Sequence, residues 1–387
     1  MDFDLTAEQE EFRRAIRAFA EDVIAPRAEE MDRAEELPMD IVKQMGELGL
    51  FGLPFPEEYG GQGADFLTLC LAIEEIARID SSMAITLEGA VGLGANPIFR
   101  HGTEDQKQRW LVPMCRGEIL GAYGLTEPGG GSDAEAVKTT ARLEGGRWVI
   151  NGSKAFITNS GTPISKVITI TAVTGEREDG GKEISAIIVP IDTPGVEVGR
   201  SYRKVGWRAS DTHEVSFSEC RVPEDGLLGE RGKGFGQFLE TLDDGRIAIA
   251  ALAVGLAQGA LDESIKYATE REAFGRPIGA FQGLQFKIAD MKVRVETARL
   301  ATYKAAWLRD RGRSYKAEAS LAKLYATEAA VEQARQALQV HGAYGFTEEF
   351  PVARYYRDSK VLEIGEGTSE IQRILIARDL GLPGTEL

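Results

Sequence analysis

The chain has 387 residues, 43% hydrophobic and 27% charged, a composition typical of a globular protein with two or three packed domains. Its 45 Lys and Arg against 61 Asp and Glu give a net charge of −16, which argues against a nucleic-acid partner because phosphates are bound mainly by basic surfaces. The three cysteines form no CxxC pair and there are only three histidines, so we expect no disulfide framework and no metal site.

The ends of the chain and its apolar stretches bear on its location. Residues 1–4 are acidic and lead directly into a helical pattern, so we expect no signal or transit peptide. No apolar run, residues 247–261 included, approaches the roughly 18 residues of a membrane span, and we expect no membrane association. A cytoplasmic protein is the simplest expectation.

The first third of the chain has helical patterns. Thr6 and Gln9 have the spacing of a capping box, and the apolar face that follows predicts a helix that ends at Pro26. Thr103 and Gln106 form a second capping box. Further helices are predicted over residues 38–48, 66–79 and 104–115.

From about residue 121 the pattern changes to short β-type runs. Residues 139–143 and 148–150 flank a Glu-Gly-Gly turn and predict a β-hairpin. Further strands are predicted over residues 167–173, 184–189, 196–198 and 214–217. No helical segments separate these runs, so we expect an antiparallel barrel or sandwich rather than βαβ units.

After the glycine-rich residues 229–234 the chain becomes helical again. Long segments dense in Ala, Leu, Glu, Lys and Arg predict helices over residues 235–269, 281–311, 315–340 and 368–380. Long Ala-rich helices bury large flat faces, which favours a bundle and often an oligomer.

The predicted fold class is therefore α+β and multidomain. We expect an N-terminal α-helical domain over residues 1–120, a middle antiparallel β domain over residues 121–228 and a C-terminal four-helix bundle over residues 229–387.

Several common motifs are absent from the sequence. It contains no Walker sequence, no HExxH, no GxSxG and no GxGxxG after a strand. Because histidines are so few, we expect that any catalytic base is a carboxylate.

Two segments near the β domain have ligand-binding character. In residues 123–133 (Tyr-Gly-Leu-Thr-Glu-Pro-Gly-Gly-Gly-Ser-Asp) three glycines open the backbone to a ligand, while Thr126 and Ser132 supply hydroxyls. Composition alone favours a surface turn for this segment. Residues 154–159 (Lys-Ala-Phe-Ile-Thr-Asn) by themselves predict a strand.

Two charged elements interrupt the C-terminal helices. The Asp-Asp-Gly-Arg run of residues 243–246 lies in an apolar helix, so its charges either meet a partner or cavity or form a solvated turn. Arg271 precedes the Phe-Gly-Arg-Pro of residues 274–277. The planar guanidinium group of Arg271 can bind two oxygens of a pyrophosphate, although a surface ion pair is the commoner role of such a residue.

The last motif is a carboxylate between two glycines. Glu366 precedes a helix that Thr368 or Ser369 caps, so glycine backbone and the free N–H groups of a helix start surround it. An isolated glutamate in such a loop is usually solvated, and the motif alone does not favour catalysis.

Taken together, these motifs resemble one family. They occur in the order found in acyl-CoA dehydrogenases, the resemblance covers essentially the whole chain, and the short-chain and medium-chain branches are the most similar. The resemblance implies an FAD cofactor, an acyl-CoA substrate, electron-transferring flavoprotein as the electron acceptor and a homotetramer.

The resemblance also implies roles for individual residues. Contacts with the flavin from the middle domain are implied for Tyr123, Leu125, Thr126, Gly131, Ser132, Phe156, Ile157 and Thr158. Contacts with FAD across a subunit boundary are implied for Arg271, Phe274, Gln282, Gln339, Val340, Gly342 and Ala343. The helix start Thr368, Ser369 and Glu370 is assigned to the cofactor, and Ser132, Asp243, Arg246 and Gly367 are assigned to the substrate. Many relatives have Trp where this chain has Phe156, and a second Gly where it has Ala343.

Glu366 falls on the catalytic base of that family. The resemblance implies that Glu366 takes the α proton while the β hydrogen leaves as hydride to flavin N5, which gives the trans-2-enoyl-CoA. It further implies that the N–H of Glu366 and a ribityl hydroxyl bind the thioester oxygen. Glu88 resembles a pocket-floor glutamate of medium-chain members if a one-residue gap is allowed, and a place on a helix surface is an equal alternative.

Other functions stay open on the sequence alone. An oxidase or monooxygenase of the same fold would use dioxygen, although Glu366 argues against the monooxygenases. A flavin-free helical binding protein is the alternative from another class. The acyl group is open among straight, branched, alicyclic and aromatic-ring acyl-CoAs.

Overall fold

The computed structural model describes residues 4–384. Its N-terminal part is helical, and the α-helices are α1 (Ala7–Phe19), α2 (Ala28–Ala34), α3 (Met39–Glu47), α4 (Phe66–Ala77), α5 (Ser81–Glu88), α6 (Asn96–His101), α7 (Glu104–Gln106) and α8 (Val112–Cys115). Wider π-helical turns lie at Ala20–Ile24, Gly89–Ala95 and Lys107–Leu111. Both predicted capping boxes are confirmed, at Thr6 and at Thr103.

The predicted end of the first helix at Pro26 is wrong. The chain continues from α1 through a π turn and a 3₁₀ turn, Ala25–Arg27, into α2. Pro26 lies in the first positions of the 3₁₀ turn, where its missing N–H costs no regular helical hydrogen bond. The change from π to 3₁₀ winding therefore accommodates the proline without ending the helical path.

The middle of the chain forms an eight-stranded sheet. Its strands are β1 (Leu120–Gly124), β2 (Thr140–Glu144), β3 (Arg147–Thr158), β4 (Ser165–Glu176), β5 (Lys182–Pro190), β6 (Val196–Val198), β7 (Thr212–Pro223) and β8 (Leu227–Leu228). The strand order is β6-β7-β3-β2-β4-β5-β8, with β1 paired to β4. The predicted hairpin of β2 and β3 is confirmed by antiparallel pairs from Thr140 with Asn151 to Glu144 with Arg147.

The sheet is not wholly antiparallel, contrary to expectation. Strand β1, which the sequence did not predict, pairs parallel with β4, and Thr140 of β2 pairs parallel with Val173. All five residues of β1 are buried, so both faces of the strand are covered. A strand covered on both faces lacks the alternation of polar and apolar residues that marks a half-buried strand.

The C-terminal part is a helix bundle. It contains α9 (Gly234–Glu270), a two-stranded ribbon of β9 (Glu272–Ala273) and β10 (Arg276–Pro277), then α10 (Gln282–Asp310), α11 (Lys316–His341), α12 (Val352–Leu362) and α13 (Ser369–Asp379). The four predicted helices are confirmed, while the short α12 was not predicted. The three domain boundaries drawn from the sequence stay predictions.

Helix α9 forms the centre of the molecule. Contrary to the sequence analysis, it is long and apolar enough by length and composition to cross a membrane, but 83% of its apolar window is buried inside the protein. It packs against α4, α10 and α11. A side chain at Gly255 would begin 2.1 Å from the carbonyl oxygen of Glu74, so glycine lets α4 and α9 approach closely. The apolar composition of α9 is that of a core helix.

Candidate functional site

The Glu366 loop, residues 363–368, connects α12 to α13. Glu366 and Gly367 both have left-handed backbone, with φ of 53° and 96°. This conformation is costly for a residue with a side chain and persists only where the surroundings impose it. Thr368 is the N-cap of α13, since its hydroxyl accepts a hydrogen bond from the N–H of Ile371 at 3.3 Å. The loop therefore holds the glutamate in one strained orientation.

The Glu366 carboxyl is buried and unpaired. Within residues 4–384 neither carboxyl oxygen has a hydrogen-bond donor. The carboxyl lies against α9, because a side chain at Gly245 would begin 2.0 Å from Oε2 of Glu366. Burial raises the pKa of Glu366, and the nearby Glu88 carboxyl and the charges of Lys323 and Arg246 partly oppose that rise. The Glu366 carboxylate therefore binds a proton more tightly than a solvated glutamate does.

Glu88 is the second carboxyl of the site. It ends α5 with every residue of that helix buried, so the alternative of a helix-surface glutamate is wrong. Its oxygens also lack a normal hydrogen bond within the described chain, although Glu88 is close enough to Glu366 to interact. Burial and the negative charge of Glu366 raise the pKa of Glu88 well above its ordinary value. Two neighbouring buried carboxyls resist ionising together, because each negative charge disfavours the other.

Tyr123 and Arg246 face the same carboxyl. The Tyr123 hydroxyl donates to the carbonyl oxygen of Phe238 at 2.8 Å, and its ring stacks on Phe238 at 4.2 Å. Burial and the charge of Glu366 raise the pKa of Tyr123. Arg246 is buried and pairs with Asp243, while its Nε has no partner in the described part of the chain. The structure thus brings together Tyr123, Arg246 and Glu366.

The charged turn of α9 is not solvated, so that alternative is wrong. Asp243 and Arg246 are each 6% exposed, and Asp243 also pairs with Lys316 at 3.0 Å. The charges meet partners inside the protein, as a buried ion pair requires.

A buried lysine joins the glycine-rich segment to β3. Lys154 is fully buried and donates to Oε1 of Glu127 at 2.8 Å and to the carbonyl oxygen of Leu125 at 3.4 Å. The N–H of Ala155 donates to the carbonyl oxygen of Thr126 at 2.9 Å. Burial lowers the pKa of Lys154 to about 8, with Glu127 opposing that fall. These contacts between residues 154–155 and residues 125–127 were not predicted from the sequence. They set the position of both segments that are predicted to contact the flavin.

The end of β3 lies beside the Glu88 helix. Phe156 has a φ of 61°, its side chain is 65% exposed, and its ring stacks on Tyr202 at 5.0 Å. Ile157 is buried, whereas the methyl group of Thr158 lies 3.4 Å from where a side chain at Gly89 would begin. Gly131 and Ser132 are exposed on the neighbouring loop. These segments border the site from the sheet side.

The residues assigned to a subunit boundary form a second group. Arg271, Phe274, Gln282, Gln339, Gly342 and Ala343 are exposed, and only Val340 of this set is buried. The Arg271 guanidinium lies 5.8 Å from the ring centroid of Tyr344, next to Ala343. Arg271 follows Gly245 by 26 residues, about 39 Å at 1.5 Å per helical residue. This group therefore does not border the Glu366 carboxyl of its own chain.

The sequence analysis missed two residues that hold the Glu366 loop. Lys323 of α11 and Gln372 of α13 both donate to the carbonyl oxygen of Gly367, at 2.5 Å and 2.9 Å. Both side chains are buried. For Lys323 the sequence carries a signal, because Ala319, Ala322 and Ala326 place it on an apolar face of its helix.

Three family models match the chain. The acyl-CoA dehydrogenase N-terminal domain matches residues 6–118, the middle domain residues 122–220 and the C-terminal domain residues 232–381. The short-chain-specific acyl-CoA dehydrogenase of Clostridium acetobutylicum is 46% identical over 97% of this chain and 99% of its own length.

Solved structures agree with these matches. Butyryl-CoA dehydrogenase from Megasphaera elsdenii superposes with a TM-score of 0.95 at 41% identity, over 98% of this chain and 100% of that one. A chain from a structure described as the electron transferring flavoprotein of Acidaminococcus fermentans also has a TM-score of 0.95, at 44% identity over 98% of this chain and 99% of that one.

Fold and comparisons define an oxidoreductase that acts on CH–CH donors. The chain belongs to the acyl-CoA dehydrogenase family.

Proposed function

We propose that this protein converts an acyl-CoA thioester to the trans-2-enoyl-CoA, with Glu366 as the base that takes the α proton. The observation that carries the proposal is the Glu366 carboxyl, buried against Gly245 with both oxygens unpaired within residues 4–384. A carboxylate that only stabilised the fold would be expected to have donors around it.

The surroundings of Glu366 suit proton abstraction. Burial makes its carboxylate more basic, while Lys323 and Arg246 favour its ionised form. Because the pKa of Glu88 is raised well above its ordinary value, a proton on Glu88 would leave the Glu366 carboxylate without a like-charged neighbour. The N–H of Glu366 is the proposed donor to the thioester oxygen, which becomes negative as the α proton leaves. Proton abstraction and enolate stabilisation would then come from one loop.

The residues around the loop fit an FAD cofactor. Gly131 presents open backbone, Phe156 presents an exposed ring, and Ser369 at the N-terminus of α13 has a buried hydroxyl oxygen without a partner among residues 4–384. The proposed FAD contacts are therefore those assigned from the resemblance, including Thr126, Thr158 and Glu370. FAD, when bound, supplies the acceptor for the β hydride. Lys154 and Glu127 hold the sheet-side contacts in place.

A homotetramer is the proposed assembly. Phe286, Val293 and Leu300 are exposed and seven residues apart, so they form an apolar stripe along α10. The Arg271 group is exposed and far from its own Glu366, which suits contact with a neighbouring subunit's FAD. Light scattering that found an active, FAD-loaded monomer would contradict this assembly.

The remaining partners are proposed from chemistry and from the comparisons. The relative from Acidaminococcus fermentans supports electron-transferring flavoprotein as the acceptor of the electrons. We also propose a cytoplasmic location without membrane or nucleic-acid partners, which the buried α9 and the charge of −16 support. An oxidase of the same fold would consume dioxygen during turnover, and an oxygen electrode therefore distinguishes an oxidase from a dehydrogenase.

The test of the proposed function is optical. Purified protein incubated with FAD should show an absorption band near about 450 nm that an acyl-CoA bleaches without air. Butyryl-CoA is the first probe, followed by straight, branched, alicyclic and aromatic-ring acyl-CoAs. Folded protein that stays colourless, or a flavin that none of these thioesters reduces, would contradict the proposal.

A further inference from the structure

We propose that Lys323 is a positioning residue for the reaction: it holds the Glu366 loop through the Gly367 carbonyl and supplies the positive charge that keeps the Glu366 carboxylate ionised. This inference rests on the proposed function, in which Glu366 is the base. Lys323 does not touch the reacting atoms in this account and acts only through Glu366.

Two side chains hydrogen-bond the carbonyl oxygen of Gly367. Lys323 reaches it from α11 at 2.5 Å, and Gln372 reaches it from α13 at 2.9 Å. This carbonyl directly follows the two left-handed residues, so fixing it fixes the backbone that aims Glu366. A side chain at Gly367 would also begin 2.8 Å from Nε2 of Gln372, so this position needs glycine. The strained loop is therefore held from two helices.

The Gly367 carbonyl has more hydrogen-bond donors than it requires. Gln372 alone would satisfy the Gly367 carbonyl, and a neutral side chain could fill the space of Lys323. Burying an ammonium is unfavourable without compensation, so its presence calls for a negative partner. Lys323 is fully buried, and its ammonium donates to the Gly367 carbonyl rather than to a carboxylate. The compensation must come from charges farther away.

Charged groups from several elements face Lys323. Glu366 is the strongest attractive charge, Glu363 and Glu370 attract less, and Arg246 of α9 repels. Burial lowers the pKa of Lys323 to about 8, a fall that the charge of Glu366 opposes, so the ammonium is still present at pH 7. In return, the ammonium lowers the pKa of Glu366 against the rise that burial causes. Lys323 and the Glu366 carboxylate thus stabilise each other's charge inside the protein.

The experiment separates the charge of Lys323 from its packing. Lys323→Met keeps the length without donor or charge, and Lys323→Gln keeps a donor without charge. Lys304→Met is the matched control, because Lys304 is exposed and pairs only with Glu318 among the ion pairs of the described chain. Each FAD-loaded variant is reduced by butyryl-CoA without air across a pH series. Without substrate, infrared spectroscopy follows the band of the protonated Glu366 carboxyl across the same pH series. The Glu366→Gln variant lacks this band and so identifies it.

The expected result is a change in both rate and pH dependence. Lys323→Met should slow flavin reduction at neutral pH by about 10- to 100-fold, since misplacement near 1 Å costs about 10²-fold. The acidic limb of its pH–rate profile should move to higher pH, because the Glu366 carboxylate has lost the stabilising charge of Lys323. Lys323→Gln should recover part of the rate while its acidic limb stays displaced. Lys304→Met should match the parent, and all variants should retain FAD.

Several outcomes would overturn the inference. If the acidic limb of the pH–rate profile and the infrared midpoint match the parent in both Lys323 variants, the charge of Lys323 has no effect on Glu366 and the residue contributes only packing. Loss of the fold in both variants would make it a core residue with no separate role. The infrared midpoint needs no turnover, so a parent protein that no acyl-CoA reduces would contradict the proposed function while the Lys323 inference is still decided.

Discussion

Two buried carboxylates on either side of Gly245 have opposite surroundings. Asp244, 1% exposed, lies 2.7 Å from Arg100, 3.1 Å from Arg309 and 2.6 Å from the hydroxyl of Tyr315. Burial alone would raise the pKa of Asp244, but the two arginines and the tyrosine lower it below the ordinary value. Glu366, on the other side, has no donor among residues 4–384 and a raised pKa.

The difference between these sites shows that burial does not by itself determine what a carboxylate does. Asp244 connects α6, α9 and α10 through its arginines, so its charge stabilises the packing of helices. Glu366 has the Glu88 carboxyl beside it but no arginine or tyrosine donor among residues 4–384, so burial leaves its pKa raised. Partners thus distinguish a carboxylate that stabilises helix packing from one with the raised pKa that the proposed base requires.

The largest effect should follow from removing the carboxylate of the proposed base. Glu366→Gln keeps the shape and removes the basic lone pair, so acyl-CoA should reduce the flavin at least about 10²–10⁴-fold more slowly. FAD content should be unchanged. Stopped-flow bleaching measures the rate, and reduction at the parent rate would remove Glu366 from the mechanism.

The next effect is on stability and should come from the paired carboxylate. Asp244→Ala leaves Arg100 and Arg309 without their shared partner, which should lower the free energy of unfolding by about 3–5 kcal/mol. Glu366→Gln removes an unpaired buried charge and should cause no comparable loss. Urea denaturation of both variants makes the comparison, and equal losses would contradict the distinction between the two sites.

A smaller effect should come from the glycine between them. Gly245→Ala places a methyl group 2.0 Å from Oε2 of Glu366, so the carboxylate must move, and flavin reduction should fall about 10²-fold. Gly236→Ala is the control, because Gly236 lies on the same helix and a side chain there would have no neighbouring atom within 4 Å. Stability should hold or rise in Gly236→Ala, since alanine favours helix over glycine. Equal turnover of the two alanine variants would mean that Glu366 does not lie against α9 during reaction.

The sequence predicted regular elements better than their exceptions. Long helices such as α9 and α11 were predicted to within about two residues because propensity over many residues outweighs local irregularities. Strand β1 was missed because both of its faces are buried, and Pro26 was misjudged because a change in helical winding accommodates it.

Prediction of the site from the sequence was limited in a similar way. The motif around Glu366 could be recognised in the sequence, but the isolation of its carboxyl is a property of tertiary packing. Asp243 and Asp244 are neighbours of equal chemistry, yet only the fold brings Arg100 to Asp244 from 144 residues away. Lys323 and Glu88 lie far from Glu366 in sequence, so no local pattern connects the three.

The most direct test of the account is the pH dependence of flavin reduction in a single turnover. In the proposed function Glu366 acts as a carboxylate, and burial raises its pKa, so the rate should rise with pH along an acidic limb centred above the ordinary glutamate value of about 4.3. The residual rate of Glu366→Gln should lack that limb. A limb centred at the ordinary value, or the same limb in Glu366→Gln, would contradict the claim that unpaired burial makes Glu366 the base.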